Sequence, residues 1–184
     1  MIESTEDKCR SKMAKMFNQP GTQWIPNLNT GFGYISGRPD AEVRYGRNCH
    51  VDIECKGDEG SLFLGDPGNE DSTVGWHFHQ RQWWSNLDKP VDAPYFVAVL
   101  VTADRNNPRV DYKEAGMFLV PPEAWLALEQ KLAGRKTVAL NPGLERVHAN
   151  KAITLESEWG LYRLDYENGQ YRIPETHPLY QILH

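Results

Sequence analysis

The chain has little cysteine. Cys9, Cys49 and Cys55 are the three in 184 residues, and no two form a CxxC pair. An odd count without that spacing gives no support to a disulfide framework, and a reducing cytosol is the expected compartment. Long apolar runs are missing as well. The longest covers residues 95 to 101, far short of the roughly 20 residues a membrane-crossing helix needs, so no membrane partner is expected. Behind Met1 there is neither a basic segment nor an apolar one, so no secretory signal is expected. Repeats and low-complexity tracts are absent. So are P-loop, GxGxxG and GxSxG strings, which leaves nucleotide hydrolysis and serine-esterase chemistry unsupported. Positive charge is also short, with 20 Lys+Arg against 25 Asp+Glu and a net charge of −5. Taken alone, that disfavours a phosphate-rich partner.

The charges that are present are segregated. Residues 52 to 71 hold seven acids and one base, Lys56. Residues 131 to 151 hold five bases and one acid, and Lys8, Arg10, Lys12 and Lys15 follow one another without an acid between them. This distribution suits an acidic cation site flanked by anion-binding surfaces. Hydrophobic residues at 40% and charged residues at 24% are ordinary globular values. One domain over residues 1–184 is expected, with a core at about 5–135 and an extension at about 136–184.

Periodicity marks the elements. Ser4 opens a helix over Thr5–Phe17, with Asp7 placed for a capping box and Cys9, Met13, Met16 and Phe17 on one stripe. Residues 18 to 39 read as loops around one short strand at 32 to 36. Residues 40 to 45 and 51 to 56 alternate polar and apolar and form a hairpin across Gly46-Arg47-Asn48. A second helix starts near Gly75, with Trp76, His79, Gln80, Trp83, Trp84 and Leu87 on one face. Residues 95 to 101 read as a strand buried on both sides. A strand over 115 to 120, a helix opened by Pro121-Pro122 and a hairpin over 161 to 173 around Asn168-Gly169 complete the order. The fold class is α/β: a central mixed sheet flanked by helices, with an extra C-terminal hairpin.

A hairpin centred on Arg47 sets Tyr45 against Cys49, Val43 against Val51, Glu42 against Asp52 and Asp40 against Glu54. Opposed residues share a face. One face then carries Ala41, Val43, Tyr45, Val51, Ile53 and Cys55, and the other carries Asp40, Glu42, Asp52, Glu54 and Lys56. Acids placed directly across a ladder repel one another. A divalent cation resolves that conflict, and hard carboxylate oxygens suit Mg²⁺, Mn²⁺ or Ca²⁺. Two acids, a metal and a lysine are the equipment for hydrolysing a phosphodiester.

Pro39-Asp40, thirteen residues, then Glu54-Cys55-Lys56 resembles the signature of the PD-(D/E)xK nuclease superfamily. The order Asp52-Ile53-Glu54-Cys55-Lys56, Leu62-Phe63-Leu64, His79-Gln80, Phe96-Val97-Ala98-Val99 is similar to that of RecU-type Holliday junction resolvases over residues 38 to 132. The family's stalk-like insertion is not evident. The resemblance implies a restriction-endonuclease-like core and a metal-dependent DNA endonuclease, a homodimer acting on branched DNA. It implies Mg²⁺ or Mn²⁺ held by Asp40, Glu54 and the main-chain carbonyl of Cys55, with Asp52 as a weaker metal candidate. Lys56 becomes the catalytic lysine, Gln80 a site glutamine from the following helix, and Glu6 an acid from the first helix. Lys8, Lys12, His79, Arg81, Lys131, Arg135 and Lys136 are the candidate nucleic-acid contacts. A restriction-like or phage-type nuclease on duplex or flap DNA, and a nuclease-like module that binds without cutting, are the alternatives. A zinc site from Cys49, Cys55, His77 and His79 is disfavoured, because Cys55 falls on the core face.

Overall fold

The computed structural model describes residues 3–27, 37–85, 93–102, 115–141 and 153–184. In chain order the elements are α1 (Thr5–Phe17), β1 (Thr22–Pro26), β2 (Ala41–Tyr45), β3 (Cys49–Glu59), β4 (Ser61–Phe63), α2 (Phe78–Ser85), β5 (Tyr95–Thr102), β6 (Ala115–Val120), α3 (Pro122–Leu132), β7 (Thr137–Ala139), α4 (Leu155–Trp159), β8 (Asp165–Glu167), β9 (Gln170–Arg172) and α5 (Pro178–Leu183). The strand expected at 32 to 36, and Leu87, lie outside the described residues. No helix among the described residues is long and apolar enough to cross a membrane.

Five strands form one mixed sheet in the order β1-β2-β3-β5-β6. β2 and β3 pair antiparallel with Tyr45 opposite Cys49, Val43 opposite Val51 and Glu42 opposite Asp52. That is the register expected from the alternation. β3 pairs parallel with β5, which places Glu54 beside Val97 and Lys56 beside Val99, and β5 pairs antiparallel with β6. The chain between β3 and β5 must cross over the sheet, and α2 lies on that crossover.

Each sheet face has its own core. Cys9, Met13 and Phe17 of α1 pack on Val51, Ile53 and Cys55 of β3 and on Phe96, Ala98 and Leu100 of β5. The other face buries Trp76, Trp125, Trp159 and Phe118 against Val97, Val99 and Val101. Full burial of each large apolar side chain stabilises the fold by roughly 1.5–3 kcal/mol. Residues 136–184 belong to both cores, through Val138, Leu140, Leu155, Trp159, Leu164 and Leu179. β7 pairs with β4, and the buried His177 ring clips the C-terminal segment to the sheet by a 2.7 Å bond to the Leu119 carbonyl.

Some expectations change. A strand, β1, occupies 22–26 within the loop-rich region. The second helix begins at Phe78 rather than near Gly75, because Gly75 bridges Gly65 in a left-handed conformation, φ 68°, that a right-handed helix does not admit. The C-terminal hairpin is shorter than 161 to 173: Gly160–Tyr162 is a 3₁₀ turn, and the strands close around Asn168-Gly169, both left-handed as that turn requires. Ser4 caps α1 by accepting from the Asp7 N–H, but the Asp7 carboxylate accepts from the Ser4 hydroxyl, so the box is not reciprocal.

Two glycines set how closely the helices approach the sheet and the segment before β2. A Cβ on Gly57 would lie 2.5 Å from the Thr5 carbonyl carbon, and one on Gly37 would lie 2.0 Å from the His79 carbonyl oxygen. Gly37 also has a φ of 78°, a left-handed conformation that disfavours other residues. The Gly57→Ala variant is expected to lose about 1–3 kcal/mol of stability in urea unfolding, as overpacked sites do. Its α1 start, which carries Glu6, is displaced. Unchanged stability would mean that α1 is not seated on β3 in this way.

Candidate active site

The polar face of β3 is buried, not wet. Asp52, Glu54 and Lys56 are 4%, 2% and 5% exposed, respectively. α2 covers them, with Gln80 as its single buried residue. Glu54 is the centre. Its Oε1 accepts from Lys56 Nζ at 2.8 Å and from Gln80 Nε2. The Gln80 Oε1 in turn accepts from the His77 N–H at 3.3 Å. Asp40 sits just before β2. Its Oδ2 accepts from the Cys55 N–H at 2.7 Å, and its Oδ1 accepts from Arg10 Nε at 2.9 Å.

Glu6, Asp40, Glu54, Lys56 and Gln80 line one polar cavity of about 200 Å³, together with Arg10, Arg38 and His77. All five residues expected as catalytic are thus brought together. The Cys55 side chain is buried on the opposite face, and its peptide reaches the site through the bond to Asp40. The site also holds residues the sequence reading did not single out. Arg10 pairs with Glu6 and Asp40 and lies 2.8 Å from Asp7 Oδ1. Its signal was the four-residue helical spacing from Glu6, which puts both on one flank of α1. His77 was weighed only as a zinc ligand. Its Nδ1 is buried without a hydrogen-bond partner, the one such side-chain atom among the described residues.

Electrostatics follow burial. Desolvation pushes the Glu54 carboxyl up to about 8, against the pull of Lys56. Burial works against the Lys56 ammonium, but Glu54, Glu6 and Asp40 outweigh it and raise its pKa, so the lysine stays charged. Arg10 behaves likewise: burial opposes its charge, and Asp40 and Glu6 raise its pKa. Burial and then Lys56 push His77 down to about 4, so its ring is neutral.

One group of described residues brings metal-ligating atoms within 4.8 Å of one another: Glu42, His50 and Asp52. This acidic cluster with a histidine could hold a metal ion. Glu42 faces Asp52 across the ladder, and His50 Nε2 is 3.5 Å from Asp52 Oδ1. Trp83 Nε1 donates to Asp52 Oδ2 at 3.4 Å. Asp52 therefore joins this cluster and does not line the Asp40–Glu54 cavity.

The expected nucleic-acid contacts divide. Arg81 is not available for one. It pairs with Glu129, donates to the Trp76 carbonyl at 2.6 Å and stacks 4.8 Å from the centre of the Trp76 ring. It ties α2 to α3 and is a structural cation. His79 is half-buried between Phe78 and His77 and does not line the cavity. Lys131 pairs with Glu158 at 2.8 Å and Lys136 with Asp66 at 2.9 Å, and Arg135 reaches the Thr137 carbonyl at 3.5 Å. Lys8 and Lys12 line a separate groove. Trp76 is core, and Trp83 and Trp84 pack against it.

No protein-family model matches this chain, and no curated protein matches it.

The buried pair makes a stability test possible. Removing one member of a buried ion pair costs about 3–5 kcal/mol, whereas removing both is often neutral or favourable. Lys56→Met should therefore destabilise the protein. Its loss relative to the wild type should grow as pH rises past about 8: beside Lys56 burial raises the folded Glu54 carboxyl to about 8, and without the lysine it is held higher still, so the variant goes on losing stability where the wild type no longer does. The double variant Glu54→Gln, Lys56→Met should recover most of the stability and lose that pH dependence. Urea unfolding between pH 5 and 9 reads both, and a double variant as unstable as the single one would contradict the pairing.

Proposed function

We propose that this protein is a metal-dependent nuclease that hydrolyses DNA phosphodiester bonds on a restriction-endonuclease-like core. The observation that carries the reading is the convergence of Asp40, Glu54, Lys56, Gln80 and Glu6 on one polar cavity at the β2–β3 ladder. Two acids, a lysine and a glutamine at these positions are what the resemblance to PD-(D/E)xK nucleases implies. The topology supports it further: α1 precedes the three antiparallel strands β1–β3, a crossover carrying α2 leads to the parallel β5, and Glu54 lies on β3 with Asp40 just before β2.

Asp40 and Glu54 would hold Mg²⁺ or Mn²⁺ with the Cys55 peptide, since hard cations prefer carboxylate and carbonyl oxygens. When bound, the cation neutralises a phosphate oxygen and lowers the pKa of a bound water. The chain's own residues do the rest. Lys56 is held protonated by its carboxylate neighbours, so it orients the attacking water and stabilises charge growing on the phosphoryl oxygens; it does not accept the proton. Gln80 fixes the Glu54 carboxylate that accepts its bond. Arg10 and Arg38 line the same cavity and supply positive charge for the phosphate. Water oxygen bonds to phosphorus as the bond to the deoxyribose oxygen breaks; the attacking water gives a proton up to solvent, and the leaving oxygen takes one from solvent.

Branched DNA is the substrate class the resemblance favours, and a homodimer would bring two sites to two strands. The test is cleavage of a labelled four-way junction, duplex, flap, single strand and RNA with Mg²⁺, Mn²⁺ or EDTA. The expected result is metal-dependent cutting, reduced ~10²–10³-fold in Lys56→Ala. Paired symmetric cuts in the junction would mark a resolvase, and cuts in duplex or flap the restriction-like alternative. No cutting of any substrate would leave a binding module.

A further inference from the structure

Helix α1 has two flanks. Cys9 and Met13 face the sheet, Glu6 and Arg10 line the candidate active site on one side, and Lys8 and Lys12 line a groove on the other. At about 100° per residue, these two pairs fall on opposite sides of the buried stripe. The groove holds about 910 Å³ and is floored by Leu100, Ala115 and Leu164. Its far wall is the C-terminal hairpin and the 3₁₀ turn before it.

That wall is aromatic and exposed where exposure costs most. Leu161 is 81% exposed and Tyr166 61%, two of the four large apolar side chains exposed among the described residues, and both line this groove. The Tyr166 and Tyr171 rings lie 4.9 Å apart, and Lys12 Nζ lies 5.5 Å from the centre of the Tyr171 ring. Lys8 and Lys12 make no ion pair with a described residue. Arg163, also on the wall, is tied to Glu156, and Asp165 is the one acid in the lining. A groove with two lysines on one side that pair with no acid among the described residues, and an exposed Tyr166 beside a half-buried Tyr171 on the other, has the chemistry of a single-strand platform: cations for the phosphates and rings for the bases. A duplex keeps its base faces stacked and would leave the tyrosines unused.

We propose that this groove binds a single-stranded segment of nucleic acid, with bases on Tyr166 and Tyr171 and phosphates on Lys8 and Lys12. The proposal rests on the nucleic-acid reading above, since it places an unpaired strand of the substrate on the flank of α1 opposite the cutting site.

The probe is an oligothymidylate carrying 5-iododeoxyuridine, which photocrosslinks to aromatic side chains, in the presence of EDTA. Trypsin would release residues 164–172, with both tyrosines, as one peptide. The expected result is crosslinks in that peptide. Tyr166→Ala should bind a fluorescent oligothymidylate about 5-fold or more weakly. Lys12→Ala should lower the salt slope of log K by about 0.7, the value for one lost single-strand phosphate contact. Lys15→Ala, an exposed α1 lysine outside the groove, should bind as wild type, and all three should melt as wild type. Crosslinks elsewhere, or Tyr166→Ala and Lys12→Ala binding normally, would overturn the groove. A wild type that cuts DNA but does not use the groove sinks this proposal alone. A wild type that crosslinks here but never cuts sinks the nuclease reading alone.

Discussion

A carboxylate and an ammonium buried side by side on the central strand set the terms for the rest of the molecule. Charges taken out of water are costly unless each is paired and its remaining hydrogen-bonding positions are filled. Glu54 and Lys56 meet that condition with one another and with Gln80. Gln80 can reach Glu54 only if α2 lies directly on the polar face of the sheet, and α2 lies there because β3 and β5 are parallel and need a crossover. Gly37 and Gly57 remove the side chains that would hold the flanking segments away. The site is therefore narrow and polar, with Glu54 and Lys56 buried at its base, where charge interactions are stronger than in water.

Arg10 completes the charge balance. The cavity gathers three carboxyl groups, from Glu6, Asp40 and Glu54; Arg10 bonds the first two and Lys56 the third. Arg10 occupies one oxygen of Asp40, and the Cys55 N–H occupies the other. A divalent ion shared by Asp40 and Glu54 must then compete with the guanidinium for Asp40. The Glu42–His50–Asp52 cluster has partners of its own: Trp83 donates to Asp52, and Arg38 and Arg44 lie 3.8 and 3.6 Å from Glu42. Two neighbouring places thus contend for a cation on one sheet face.

Much of this was readable from period-2 alternation. The β2–β3 register, the apolar face against α1 and the fully buried β5 all follow from which side chains water excludes, and they placed Asp40, Glu54 and Lys56 together. Gln80 was readable from helical spacing. What was not readable depends on partners distant in sequence. β1 lies among Gly, Pro and Asn, and it is a strand because β2 offers it an edge. β7, α4 and α5 are too short for a periodic signal and exist by packing. Arg81 read as a free cation because its partner, Glu129, is on another helix. Burial of the acidic face itself was hidden: alternation shows two faces but not that both will be covered.

The most direct test is a crystal structure grown with Mn²⁺ and measured for anomalous scattering. The account predicts a Mn²⁺ peak between Asp40 and Glu54, against the Cys55 peptide, with the Arg10 guanidinium withdrawn from Asp40. A site without any peak, or a single peak at Glu42, His50 and Asp52 with Arg10 still on Asp40, would contradict it.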